Sequence, residues 1–398
     1  MKKNLLTAAL IAGFAAGAVQ AETSVTLYGR VDGGFGYQQF KGTDAAGADV
    51  KGTNTGMVSG INSGNRWGLK GTEDLGEGLK AVFQLESGFD LGTGESGQGG
   101  RLFGRQATVG LMSDSWGRLD FGRQTNIASK YFAGVASPFG TSFGQARVGS
   151  AFSAARNHRL DNMIMYQTPN FSGFQFGLGY SFNASGNQEF KQSGGAEPNV
   201  RSWTTGLRYS NGPLAAALVY DQFKNKSTGN FTAADDGVTV KSWNLALSYD
   251  FEVVKVHAAG GQTRNGWFSA NSFLGSNSYL GNFSGNIPDP SSSNPAKTSL
   301  ELNSFAVNDN LKVNSYALGL SAPVGSAGKL MASWMMSDPS NAGIYNWGED
   351  KQNVYSVGYS YKLSKRTNIY ALGSYADNVN FQDDLKATQF AVGLRHQF

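Results

Sequence analysis

The sequence predicts an all-β fold: a transmembrane antiparallel β-barrel of sixteen strands, short turns at one end and long loops at the other. Three observations predict it. Segments of about ten residues alternate apolar and polar side chains at period two. The connections between them alternate short and long. No stretch beyond the N-terminus matches the roughly 20 apolar residues of a membrane helix, although the chain opens with an export signal.

That signal comes first. Met1-Lys2-Lys3 is followed by an apolar run from Leu5 to Val19 and then Val19-Gln20-Ala21. A charged start, a short apolar core and small residues at the cleavage positions make a secretory signal peptide over residues 1–21. The mature chain is expected to begin at Glu22, and residues 22–398 read as one barrel domain.

Composition agrees with a barrel. Gly is 54 of 398 residues and Pro only 9, while Phe and Tyr number 26 and 16. Mean hydropathy is -0.31, which a barrel tolerates because each strand needs only one apolar face. Cys is absent, so closure of the sheet has to replace disulfides. The basic residues are scattered, which argues against a nucleic-acid partner.

The strands follow in order. In the first, Val25, Leu27, Val31, Phe35 and Tyr37 share one face; Ser24, Thr26, Tyr28, Arg30 and Asp32 share the other. Trp67/Leu69, Leu79/Ala81/Phe83/Leu85, Phe174/Phe176/Leu178/Tyr180/Phe182, Leu214/Ala216/Leu218/Tyr220, Trp243/Leu245/Leu247/Tyr249 and Tyr355/Val357/Tyr359/Tyr361 continue the pattern. Phe390, Val392, Leu394, His396 and Phe398 end it. Aromatic rings recur at the ends of these faces, where the girdles of an outer-membrane barrel sit. Arg366–Asp377 is the least regular segment, with apolar residues on both parities.

Short turns are expected at Asp74–Gly78, Ser113–Trp116, Pro169–Gly173, Ser210–Pro213, Phe251–Val253, Ala322–Gly328 and Leu363–Arg366. Long loops are expected at Gln38–Asn65, Leu91–Gly100, Thr125–His158, Asn183–Asn199, Phe223–Gly237, Arg264–Leu311, Ser337–Asp350 and Asn378–Lys386. A ring of this size leaves a watery lumen. Parity turns Arg30, Asp32, Arg66, Lys70, Lys80, Gln84 and Glu86 into it. The third long loop carries Lys130, Arg147 and Arg156 and no Asp or Glu.

Other chemistry finds little support. His158, His257 and His396 have no metal-ligand spacing, so no metal or cofactor is expected. No Ser-His-Asp arrangement is legible, and the Gly-rich pieces lack a phosphate-loop pattern. Asp383-Asp384 and Glu349-Asp350 read as solvated loop carboxylates. The aromatics lie mostly on the lipid-facing parity, which disfavours a sugar-specific channel. An enzyme, an adhesin or a soluble secreted β protein is a weaker alternative.

Several motifs resemble the general porins of β-proteobacteria, the Bordetella-type major outer-membrane porins. They include Ser24-Val25-Thr26-Leu27-Tyr28-Gly29, Arg66-Trp67-Gly68-Leu69-Lys70-Gly71-Thr72-Glu73-Asp74-Leu75-Gly76 and Gly78-Leu79-Lys80-Ala81-Val82-Phe83-Gln84-Leu85-Glu86. Gly117-Arg118-Leu119-Asp120-Phe121-Gly122-Arg123, Met165-Tyr166-Gln167-Thr168-Pro169-Asn170-Phe171, Leu363-Ser364-Lys365-Arg366-Thr367-Asn368 and Gly393-Leu394-Arg395-His396-Gln397-Phe398 complete the set. The resemblance runs through the whole mature chain. It implies a homotrimeric diffusion pore for small ions and hydrophilic solutes, whose third loop folds inward. Outer-membrane lipid and lipopolysaccharide would surround it. The outer-membrane assembly machinery would read Phe398.

The resemblance also implies a constriction. Its basic wall would comprise Arg66, Arg105 and Arg159, joined by Lys70 and Lys80 from the parity count, with Glu86 as acidic partner. Arg105 shares parity with Val109 and Leu111, so a β-bulge is needed to turn it inward. The inward loop would present Lys130, Ser137, Arg147 and Arg156. Ser137-Pro138-Phe139-Gly140 stands where related chains can carry a carboxylate. Basic groups with few acidic neighbours favour anions, so anion selectivity is expected.

Overall fold

A computed structural model describes residues 24–43, 49–194, 197–225, 237–268, 306–341, 350–381 and 383–398. The expected signal peptide and most of the sixth loop lie outside them. The strand segments are β1 (Ser24–Thr43), β2 (Asp49–Ser59), β3 (Arg66–Gly76), β4 (Leu79–Gly88), β5 (Gln106–Ser113) and β6 (Gly117–Thr125). Next come β7 (Arg159–Leu160), β8 (Met163–Gln167), β9 (Phe174–Ser181), β10 (Arg201–Asn211), β11 (Leu214–Lys224) and β12 (Thr239–Asp250). The last are β13 (Lys255–Trp267), β14 (Ala306–Val324), β15 (Gly328–Ser340), β16 (Gln352–Lys362), β17 (Thr367–Asp377) and β18 (Lys386–Gln397).

These segments form one antiparallel sheet of sixteen wall strands, because two strands are interrupted. The upper part of β1 pairs with β2 and its lower part with β3, so β2 and β3 are one strand broken at residues 60–65. Likewise β6 pairs with both β7 and β8. The sheet closes where β18 pairs with β1, from Arg30↔Gln397 to Lys41↔Lys386. Beyond that ladder Gly29 and Phe398 exchange backbone hydrogen bonds of 3.0 and 3.2 Å. Closure leaves no sheet edge, as a bilayer requires: an unpaired N–H or C=O in hydrocarbon costs several kcal/mol.

Alternation is visible in the burial. Val25, Leu27, Phe35, Trp203, Leu207, Leu218, Trp243, Leu245, Leu247, Tyr355, Val357, Phe390 and Leu394 are exposed on the outer face. Their neighbours point inward. The first long loop is shorter than Gln38–Asn65, because β1 continues to Thr43 and its partner resumes at Asp49. Burial goes on alternating from Tyr37 to Gly42, and the β1–β2 pairing extends the hairpin past the expected turn.

The interior is not wholly wet. Residues 126–158 fold into the barrel as short helical turns, and their apolar side chains pack against inward-facing Ala217, Val219, Ala246, Ala317 and Met335. Phe132 and Phe152 lie fully buried, with ring centroids 5.0 Å apart. Burying one such ring contributes about 1.5–3 kcal/mol, which compensates for the missing β-ladder. A second cluster joins Phe139 and Phe143 to Ile61, Tyr370 and Leu372. It explains the double parity of β17: Ile369 faces lipid, while Tyr370 and Leu372 face the loop.

Candidate functional site: a basic arc facing an inward loop

The inward loop is fixed at both ends by polar side chains of the wall. The amide of Asn126 donates to Asp221 Oδ1 and to the Ala154 carbonyl, each at 2.8 Å. The Ile127 N–H donates to Thr204 Oγ1 at 2.7 Å. On the return path the Ala151 carbonyl accepts from Ser315 at 2.6 Å and from Ser337 at 3.3 Å. Gln352 donates to the Ser150 carbonyl at 2.7 Å.

Between these ends the loop lies in notches made by missing side chains. A Cβ at Gly319 would stand 2.6 Å from Pro138 Cδ, and one at Gly358 would stand 2.9 Å from Phe139. Gly177 and Gly206 receive Ile127 in the same way. His257 Nδ1 is 2.8 Å from the Val135 carbonyl, and the Gln145 N–H donates to Gln389 Oε1 at 3.0 Å. The loop therefore lines the arc from β9 through β18.

A row of basic residues occupies the rest of the wall. Arg30 on β1 stands directly opposite Arg66 on β3, and Asp32 opposite Arg395 on β18. Glu86 on β4 receives Arg105 Nε at 2.6 Å and has Arg66 Nη1 at 3.8 Å. Tyr28 donates its hydroxyl to Glu86 at 3.1 Å. Arg159 Nε donates to the Arg105 carbonyl at 3.1 Å. Residues 60–65, the interruption in the second wall strand, are held here too. The Ser63 N–H and the Tyr370 hydroxyl donate to Asp32 at 2.8 and 2.6 Å.

Arg66, Arg105, Arg159 and Glu86 thus lie together. The Arg105 N–H donates to the Glu86 carbonyl at 3.1 Å although Glu86 pairs with Gln106, so two residues of this strand oppose one at its end. The β4–β5 ladder is regular down from Glu86↔Gln106, and Arg105 precedes it, where the chain leaves the lipid-facing alternation. Lys70 lies over the Tyr28 ring, its Nζ 5.6 Å from the centroid. Lys80 stands opposite Asp74, toward the short-turn end.

The loop residues separate into different settings. Lys130 does not project into open lumen. Its ammonium donates to Gln124 Oε1 at 3.1 Å and touches Met165 Sδ at 3.2 Å, and burial pushes its pKa down to about 8. Ser137 is buried and supports the tip: its Oγ accepts from the Phe139 N–H at 3.3 Å. Arg147 donates to the Gly144 carbonyl at 2.6 Å, and burial lowers its pKa to about 10. Arg156 packs against Gly149, and burial lowers its pKa as well. His158 faces the Ser153 carbonyl at 2.7 Å, and burial drives it down to about 4.

Alternation missed one group. Arg123 shares the parity of lipid-facing Phe121, yet its Nη1 reaches Asp161 Oδ1 at 2.5 Å and its Nε the Gly104 carbonyl at 2.8 Å. Asp161 also takes both bonds from Arg101, at 2.8 and 2.9 Å, and the Gly186 N–H at 2.7 Å. In the sequence Asp161 stands two residues from Arg159, and nothing there points to Arg101 or Arg123. Among the described residues no three His, Cys, Asp or Glu are grouped for a metal.

Comparison with known proteins agrees with this architecture. A profile described as Gram-negative porin matches residues 7–380. An outer membrane porin protein of Bordetella pertussis is 52% identical, with 100% of both chains covered. The solved anion-selective porin from Comamonas acidovorans is 28% identical with a TM-score of 0.66, covering 95% of this chain and 100% of its own. An outer membrane protein of Vibrio cholerae, solved in a trimer form, shares the fold alone at 14% identity and a TM-score of 0.58; 94% of this chain and 99% of that one align. The chain belongs to the Gram-negative porin family, and as an outer-membrane β-barrel it forms a channel for passive passage of small hydrophilic solutes and ions.

Proposed function

We propose that this channel prefers anions and that its selectivity comes from the arginine row facing the inward loop. One observation carries the reading: the loop from Thr125 to His158 contains three basic residues and no carboxylate. A carboxylate on that side would attract cations and set up a field across the pore. Without one on the loop, Arg30, Arg66 and Arg395 act on the passing ion with only the wall's own Asp32 and Glu86 to offset them, and Arg105 and Arg159 add to the same side. Low-dielectric walls focus their field, so a few charges suffice. A similar protein, the Comamonas porin, is itself described as anion-selective.

The test is the reversal potential of single channels in a KCl gradient. Anion preference should weaken stepwise in Arg66→Gln and in the Arg66→Gln/Arg105→Gln/Arg159→Gln variant. A cation-selective sign in the unaltered protein rejects the reading.

The same reading makes the functional unit a homotrimer of passive pores without catalytic activity, with Phe398 serving the assembly machinery and residues 1–21 cleaved. Family resemblance and the trimer form of the Vibrio neighbour support the trimer. Cross-linking in outer membranes checks it.

A further inference from the structure

We infer that residues 60–65, the break in the second wall strand, are a second constriction element. They continue the inner lining of the inward loop across β18 and β1 and so set the width of the channel, with Asp32 as the positioning residue. This claim concerns width and holds whatever the sign of the ion selectivity.

The register shows how much chain is diverted. Between the rungs Gly33↔Ser59 and Arg30↔Arg66, β1 has two residues and its partner has six. A β-bulge adds one residue to a ladder, whereas this break adds four. The extra residues do not fit in the plane of the sheet. Facing lipid, their peptide groups would lack partners, so they turn into the lumen. Gly60 makes the turn. Its φ is +76°, and a Cβ there would stand 3.0 Å from Gly64 Cα, so the chain leaves and returns within one tight excursion.

The excursion reaches from the loop tip to the arginine row. Ile61 is 2% exposed and belongs to one apolar cluster with Phe139 and Phe143 of the tip, Tyr370 of β17 and Ala391 of β18. Asn62 Oδ1 accepts from Arg395 Nη1 at 3.4 Å. The Gly64 carbonyl accepts from Arg66 Nε at 2.9 Å, and a Cβ on Gly64 would meet Arg105 Nη1 at 3.4 Å.

Asp32 holds the segment at both ends and in the middle. Its carbonyl accepts the Gly60 N–H at 2.9 Å, its carboxylate accepts the Ser63 N–H at 2.8 Å, and its own N–H donates to Asn65 Oδ1 at 2.5 Å. The same carboxylate takes the Tyr370 hydroxyl at 2.6 Å, and the Tyr370 ring meets Phe143 edge-on with centroids 5.6 Å apart. Segment, wall and loop tip are thereby joined through one acid. Among the described residues no buried side-chain nitrogen or oxygen of residues 60–65 lacks a partner. A break that only ended the tall β1–β2 hairpin would need none of these contacts.

The experiment deletes residues 61–64 from the protein and adds Asn65→Val. Two residues then oppose two, the strand runs on unbroken, and residue 65 takes a lipid-facing position that suits Val. Single-channel conductance follows the open cross-section and should rise at least about 1.5-fold. Liposome swelling with neutral sugars of increasing size should show a larger size limit than in the unaltered protein. Neutral sugars read width alone, so this result and the sign of the reversal potential can fail independently. If the deletion variant does not fold, Asp32→Asn supplies the test: one amide oxygen cannot replace two carboxylate oxygens, the segment is released, and the sugar limit should move the same way. A lower unfolding temperature with an unchanged sugar limit means that the segment only stabilises the barrel, and overturns the inference. A smaller limit overturns it as well.

Discussion

Glu86 and Arg105 form a close ion pair in the basic wall, with Arg105 Nε 2.6 Å from Glu86 Oε1, and both side chains are largely shielded from solvent. Arg66 approaches the same oxygen at 3.8 Å. One carboxylate therefore offsets part of the charge of two arginines and fixes where they stand. Glu86→Gln should raise anion preference in reversal-potential measurements, since it removes the acid and keeps the shape. It should also lower stability by on the order of 3 kcal/mol, the usual cost of leaving a buried ion without its partner. Thermal unfolding in detergent measures the second effect.

The notches under the loop make a different prediction. Gly319→Val places methyl groups where Pro138 now lies, at a position where even a Cβ would be 2.6 Å away. The loop must move off its wall and into the channel. Single-channel conductance should fall, and overpacking should cost about 1–3 kcal/mol. A conductance equal to that of the unaltered protein contradicts the docking described here.

The root of the loop depends on Thr204. Thr204→Val keeps the volume and removes the acceptor of the buried Ile127 N–H. An unmet buried donor costs about 1–3 kcal/mol. The expected outcome is a lower unfolding temperature and more frequent closures in single-channel recordings, with the sign of selectivity unchanged.

His158 gives a pH prediction. Burial lowers its pKa from 6.5 to about 4, so the folded protein holds it neutral while the unfolded chain takes up a proton. Stability from this group is complete above about pH 6.5 and is lost as pH falls toward 4. Comparing unfolding temperatures of the unaltered protein and His158→Gln should show a gap that narrows over this window. Selectivity should be insensitive to His158 between pH 6.5 and 8, which reversal potentials check.

Phe398 closes the ring. Its backbone exchanges both hydrogen bonds with Gly29, and its side chain covers the site where a Gly29 Cβ would be. Phe398→Ala should slow folding into lipid vesicles and lower heat resistance. Gly29→Leu should do the same, because the ring and the new side chain compete for one place. If only Phe398→Ala slows assembly in cells while both destabilise the purified barrel, the terminal residue acts as a recognised signal as well as a closure.

The sequence by itself determined the barrel. A side-chain period of two, set by the pleat, shows which residues meet lipid in most strands between Val25 and Phe398, and alternating loop lengths give the even count. It also showed the acid-free loop, since composition needs no coordinates. It did not reveal the two broken strands or the departure of Arg105 from parity. Nor did it reveal Arg123 beside Asp161 or the burial of Lys130. These depend on contacts between residues far apart in the chain, such as Asn126 with Asp221 or Tyr370 with Asp32. Alternation is a local property that ends where a ladder ends. Beyond that point only tertiary packing decides which way a side chain turns.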